Sequence, residues 1–155
     1  MTLRTIVSGG QTGADRAALD AALACGLAIG GWVPKGRLAE DGPVPARYAG
    51  LRETDSEDTA VRTRLNVRDS DATLVVSRGP LTGGSLRTAD ESVRAGRPLL
   101  HLDLARLEPA AAAGRLVEWL AAVRPVVLNV AGPRASEDPA IGAAVAALLR
   151  AVLGP

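Results

Sequence analysis

The stretch TIVSGGQTGADRAALDAALACG, residues 5–26, passes from an apolar run through three glycines into an alanine-rich segment. Thr5-Ile6-Val7 has the composition of a short buried strand. From Ala14 to Cys25 small apolar residues dominate, Leu19 and Leu23 fall four apart on one helical face, and Gly26 supplies a C-terminal stop. Ser8 to Gly13 thus joins a strand to a helix. At such a junction small residues permit close backbone approach, and the first turn of the helix offers free N–H groups to an anion.

The unit repeats along the chain. Ile29–Val33 reads as a second strand ended by Pro34, ATLVVS (Ala72–Ser77) as a central strand, Pro98–Leu102 as a fourth and Val126–Val130 as a fifth. Between them lie helical segments from a Ser56 cap to about Arg68, from Ser85 to Ala95, from Pro109 to about Val123, and from Pro139 onward. Residues 34–55 hold five charged side chains before Tyr48, three prolines and no periodicity, so they are expected as one long loop. Strands alternating with helices predict an α/β sandwich with a mostly parallel sheet of about five strands. No linker or repeat divides residues 1–155, which are expected to form a single domain.

Such sheets bind ligands beyond the carboxyl ends of their strands, and three suggestive turns lie there. The first, Gly9-Gly10-Gln11-Thr12-Gly13, lacks the Lys-Ser/Thr pair of a P-loop, and Ser8 stands where a dinucleotide fingerprint has its first glycine. The second, Gly79-Pro80-Leu81-Thr82-Gly83-Gly84-Ser85, repeats the strand-turn-helix logic and adds two hydroxyls. Asn66, Arg68, Asp69 and Asp71 stand just before the strand that leads into it. The third, Asn129-Val130-Ala131-Gly132-Pro133-Arg134, places an arginine in a glycine-proline turn, where a phosphate contact is expected. Lys35-Gly36 follows the second strand, and Lys35 is the only lysine among 18 basic residues; Arg78 is a further cation at a strand end. Asp15 and Arg16 occupy the first turn of the first helix. An acid is expected there from the helix dipole alone, and Arg16 either pairs locally or faces a ligand.

Composition excludes several classes. A net charge of +1 gives no global attraction to nucleic acid or an anionic membrane. No window approaches a transmembrane span and no leader pattern precedes Thr5, so a cytoplasmic protein is expected. One cysteine and one histidine, Cys25 and His101, cannot build a metal cage or a nucleophile–base pair of usual form, so no protein-ligated metal is expected and His101 reads as structural. Carboxylate-driven hydrolysis through Glu40, Asp90 or Glu91 stays open, although a binding role is favoured over an enzyme.

GGQTGADRAALDAAL, GGWVPKGRLAEDGPVPARY, NVRDSD, GPLTGGS and NVAGPRAS occur in that order and together resemble the molybdenum carrier (molybdenum-cofactor carrier) family. The resemblance runs from residue 6 to about 141. That family is similar to the SLOG group of Rossmann-like proteins, which includes LOG phosphoribohydrolases and lysine-decarboxylase-like proteins. It implies a Rossmann-like three-layer sandwich, a cytosolic homo-oligomer (dimer or tetramer) and an anion-binding crevice. It also implies the molybdenum cofactor as carried ligand or a nucleotide in its place, with molybdoenzymes or cofactor-biosynthesis proteins as candidate partners and a nucleotide-sensing module as a further role. Laying the LOG signature Pro-Gly-Gly-x-Gly-Thr-x-x-Glu on Gly83-Gly84 puts Leu86 at a glycine, Arg87 at the threonine and Asp90 at the glutamate. Stacking on a ligand is left to Trp32, Tyr48 or arginine planes, since Trp119 sits in a helix expected to pack inward.

Overall fold

The computed structural model describes residues 1–154. Six strands form one sheet: β1 (Thr5–Val7), β2 (Ala28–Val33), β5 (Leu51–Glu53), β6 (Ala72–Ser77), β7 (Leu99–Asp103) and β8 (Val127–Ala131), in the spatial order β5-β2-β1-β8-β6-β7. Every pairing is parallel, with Ile6 opposite both Ile29 and Leu128. Two short strands, β3 (Leu38–Ala39) and β4 (Gly42–Pro43), pair separately as an antiparallel hairpin. Five helices cover the sheet: α1 (Ala14–Ala24), α2 (Thr59–Arg68), α3 (Gly83–Arg94), α4 (Pro109–Val123) and α5 (Ile141–Leu153). The molecule is an α/β, Rossmann-like sandwich.

The expected five strands become six, and the expected loop over 34–55 is largely ordered. It holds a 3₁₀ turn (Lys35–Arg37), the β3–β4 hairpin and the edge strand β5. Leu-Arg-Glu is too short and too charged to register as a strand. It is held from outside itself, by pairing with β2 and by the Arg52 guanidinium lying 4.2 Å over the Trp32 ring. The helix starts also move. Asp58, not Ser56, caps α2, its carboxylate accepting the Ala60 N–H at 2.9 Å. α3 begins at Gly83, and Pro139 falls in the turn before α5 rather than in its first position.

The two faces of the sheet differ in chemistry. Helices α1, α4 and α5 pack together on one face. There Leu74, Val76, Leu128, Val130 and Ile6 meet Leu116, Leu120, Ile141, Val145 and Leu149 in the main apolar core. Alternation along a strand sends Thr73, Ser77 and Asn129 to the opposite face, under α2 and α3. These three side chains are buried, as are Thr63 and Asn66 on α2 and Ser85, Thr88 and Ser92 on α3. The second layer is thus a polar one.

Strand β8 stands between β1 and β6, although it is eighth in the chain. If β8 and α5 preceded β1, strands would run outward from β8 on both sides, with one change of direction between β8 and β6. Such a reversal opens a crevice beyond the strand ends.

Candidate functional site

A crevice of about 220 Å³ occupies that position. The turn after β1 contributes Gly9 and Gln11, and the turn after β8 contributes Gly132 and Arg134. α1 contributes Asp15, the amino end of α3 contributes Gly83, Gly84, Ser85, Arg87 and Thr88, and α2 contributes Arg62, Thr63 and Asn66. Asn129 of β8 lines it as well. The three glycine turns expected at the strand ends are brought together here.

Their donors are not equally free. In the first turn the Gly10 N–H donates to Ser8 Oγ (3.3 Å), Gln11 N–H to Asp15 Oδ2 (3.3 Å) and Thr12 N–H to the Gln11 side chain (3.0 Å). The Ala14 N–H donates to the Pro133 carbonyl at 3.1 Å. The expectation that Gly10 to Gly13 offer backbone donors to an anion is therefore corrected for Gly10, Gln11 and Thr12, whose N–H groups serve the loop's own closure. At the amino end of α3 the position is reversed. Thr82 gives no side-chain cap, and among the described residues the N–H groups of Gly83, Gly84 and Ser85 have no partner. Gly83 has φ +51°, a left-handed conformation suited to glycine. Asp103 and Ser77 fix the preceding turn, accepting the Gly79 N–H (2.8 Å) and donating to the Gly79 carbonyl (2.7 Å).

Gly132 shows how tightly the wall is built. A Cβ there would stand 2.4 Å from the Val76 carbonyl and 2.7 Å from Ala14 Cβ.

Positive charge comes chiefly from helices. Arg62 donates to the Gly9 carbonyl at 2.8 Å, and neither it nor Arg87 has a carboxylate partner among the described residues. Arg134 lines the crevice but lies 3.2 Å from Glu137 and 3.7 Å from Glu40. Arg78 is paired with Asp138 (2.8 Å) and Arg68 with Asp69 (2.7 Å), both outside the crevice. Lys35 and Gly36 sit in the 3₁₀ turn, where the Gly36 N–H donates to Glu53. Arg16 forms a fork-to-fork pair with Asp41 at 2.6 and 2.7 Å, which resolves its two readings toward a local partner.

The three carboxylates singled out for hydrolysis lie elsewhere. Glu40 accepts from Thr12 Oγ1, Ser136 Oγ and the Ser136 N–H. Those hydrogen bonds hold its carboxyl below the usual range, so it stays ionised and acts as a clasp rather than a proton donor. Asp90 and Glu91 line an adjoining open depression beside Leu86 and Arg94 that shares Gly83 and Arg87 with the crevice, with Glu91 3.0 Å from Arg94. Asp15 and Glu137 are the carboxyls that reach the crevice, and Glu137 is taken up by Arg134 at 3.2 Å. Burial pushes Asp15 up to about 6, against the pull of Arg62 and of the Gln11 and Gly9 N–H groups.

Arg62, Thr63, Arg87 and Thr88 escaped the sequence reading, although a signal was present. Thr59, Thr63 and Asn66 recur at helical spacing on α2, and Ser85, Thr88 and Ser92 do so on α3. A core-facing stripe made of hydroxyls and amides, where apolar residues are the rule, marks a face that covers something polar. Asn66 itself is structural in part, accepting the Trp32 N–H (2.7 Å) and donating to its carbonyl (3.0 Å). No aromatic ring lines the crevice: Tyr48 is buried beneath Arg47, and the Trp32 indole donates to Asp69. His101 Nε2 lies 2.7 Å from Ser77 Oγ beneath the α3 layer, a structural placement.

The profile of the circularly permutated YpsA SLOG family matches residues 6–153. The chain belongs to that family. The inserted position of β8 in this SLOG sheet agrees with a permuted strand order. A crystal structure from Syntrophus aciditrophicus SB, of a protein named "Putative molybdenum carrier protein", is 48% identical with a TM-score of 0.96, covering 99% of this chain and 96% of that one. No curated protein matches the chain. No described helix of this SLOG protein is long and apolar enough to cross a membrane, and no described group of His, Cys, Asp or Glu could hold a metal ion.

Proposed function

We propose that the chain binds and carries a phosphate-bearing heterocycle, the molybdenum cofactor first and a nucleotide second. The observation that carries this reading is the open amino end of α3: three unpaired N–H groups beside Arg62 and Arg87, at the reversal point of the sheet. The name of the Syntrophus relative supports a molybdenum-bearing cargo, of which the molybdenum cofactor is the phosphate-bearing form. In that case the pterin dithiolene keeps the metal, since the crevice offers nitrogen and oxygen donors suited to phosphate and heterocycle and no thiolate.

Isothermal titration with molybdenum cofactor, AMP, ADP, inorganic phosphate and molybdate tests it. Phosphate-bearing heterocycles are expected to bind more tightly than inorganic phosphate or molybdate, which offer the crevice an oxyanion and no ring. Arg87→Ala is expected to weaken phosphate ligands roughly ten- to hundredfold, the worth of a charge-assisted hydrogen bond, while leaving the melting temperature unchanged. Failure of every phosphate-bearing ligand to bind overturns the reading.

A second reading, hydrolysis of a nucleotide, is favoured by one observation, the buried Asp15 carboxyl in the crevice with its raised affinity for a proton. Release of free base or ribose phosphate, abolished in Asp15→Asn, is the result it requires. Homo-oligomerisation and a cytoplasmic location belong to the same proposal, and light scattering of the purified chain tests the first.

A further inference from the structure

Two side-chain oxygens in the crevice are left without a partner in the protein. Asp15 is 6% exposed and Asn129 is 2% exposed. Asp15 Oδ2 accepts the Gln11 N–H at 3.3 Å, the Gly9 N–H lies near the carboxyl without closing a hydrogen bond of good geometry, and no such bond ends on Oδ1. Asn129 uses its amide N–H on Thr73 Oγ1 at 3.3 Å, and its Oδ1 accepts nothing. Among the described residues no side-chain nitrogen or oxygen is both sealed from solvent and unpartnered, so these two oxygens open into the crevice that both residues line.

The crevice is therefore two-sided in its chemistry. The amino end of α3, with Arg62 and Arg87, presents donors. Asp15 and Asn129 present acceptors and nothing that an anion could use. A phosphate suits the first group and is repelled by the second. What suits a buried carboxylate is a pair of N–H donors in one plane, as it receives from a guanidinium. Among phosphate-bearing heterocycles that pair is the ring N–H and adjacent 2-amino group of a 2-amino-4-oxopyrimidine ring, which is N1–H with the 2-amino group in guanine and N3–H with the 2-amino group in pterin. Adenine offers an acceptor at the corresponding ring nitrogen and hypoxanthine lacks the amino group.

We propose that Asp15 is the specificity-determining residue of this crevice, accepting the N–H and amino edge of a 2-amino-4-oxopyrimidine ring whose phosphate lies at the amino end of α3. The proposal rests on the phosphate-ligand reading above. It explains why a carboxyl is kept where its environment resists ionisation: with few donors of its own, Asp15 gains most when a ligand brings two. Asn129 Oδ1 supplies a further acceptor for the amino group.

The test is titration calorimetry of the whole chain with GMP, IMP, AMP and inorganic phosphate. GMP is expected to bind at least about tenfold more tightly than IMP or AMP, because a carboxylate built for an N–H is left unpaired by an analogue that lacks it. Asp15→Asn is expected to erase that preference while inorganic phosphate binds at least as tightly, since the variant removes a negative charge from the crevice. The GMP-to-IMP ratio cancels the titration of the phosphate itself, and it is expected to shrink as pH falls below about 6, where Asp15 takes up its proton. The charged groups acting on Asp15 are Arg62 from α2 and Arg16 from its own helix, with Arg87, Arg134 and Glu137 in the crevice lining. Equal binding of GMP, IMP and AMP by the unaltered chain overturns the inference and leaves phosphate binding intact. So does a GMP preference that survives in Asp15→Asn. Failure of all four probes overturns the reading beneath it as well.

Discussion

At the scale of single residues, Asp15 sets two effects against each other. Its place in the first turn of α1 favours a negative charge by up to about 2 kcal/mol, while its burial disfavours one. Burial prevails, since the group is pushed from 3.8 up to about 6. A carboxyl whose folded value is raised stabilises the fold below its unfolded value, and that contribution is lost as pH rises through the folded one. Two units correspond to roughly 3 kcal/mol, so ionised Asp15 is a burden on the fold above pH 6. Asp15→Asn is expected to melt close to the unaltered protein at pH 4 and higher at pH 7.5, by about 5–10 °C for a domain of this size. Thermal denaturation across pH checks it, and a gain that is the same at both pH values would contradict this account. A second residue-scale expectation concerns Gly132. Its alanine variant forces a Cβ against the Val76 carbonyl, and a loss of roughly 2–4 kcal/mol is expected in urea titration.

At the scale of elements, the β3–β4 hairpin is attached to the body through Glu40, which ties it to the turn before α1 and the turn before α5, and through Asp41, which pairs with Arg16 of α1. Glu40→Ala combined with Asp41→Ala is expected to leave the sheet intact while amide exchange within residues 38–44 accelerates. Glu40→Ala alone is expected to give a smaller acceleration because the Arg16–Asp41 pair remains, both read by mass spectrometry. How legible each element was follows from where its reasons lie. Ala72–Ser77 and Pro109–Val123 carry theirs locally, in an apolar run and in a proline at the first helical position, and both stand where the sequence puts them. Leu51–Glu53 is a strand only because Gly31–Val33 lies beside it. The crevice divides the same way. The glycine turns were readable from their small residues and their place after strands. That Gly10, Gln11 and Thr12 had already committed their N–H groups was not, because it depends on a serine before the loop, a carboxylate beyond it and a side chain folded back. Arg62 and Arg87 look like any solvated arginine on a helix until the fold turns them toward the same space.

At the scale of the whole molecule, β8 joins two partial sheets, β5-β2-β1 on one side and β6-β7 on the other, which share no pairing without it. A chain in which residues 125–154 are placed ahead of residue 2, with new ends between α4 and β8, keeps every pairing. It is expected to melt within a few degrees of the original and to refold faster, since β8 then precedes β1 by a short stretch. Circular dichroism and stopped-flow refolding check both. The same arrangement bears on how the polypeptide is made. While β8 is still inside the ribosome, β1 and β6 each expose an unpaired edge, and such edges recruit foreign strands. The sheet cannot close vectorially as it emerges; its two halves must wait for a shared middle strand, which makes the unfinished chain a natural client for a chaperone at the exit tunnel.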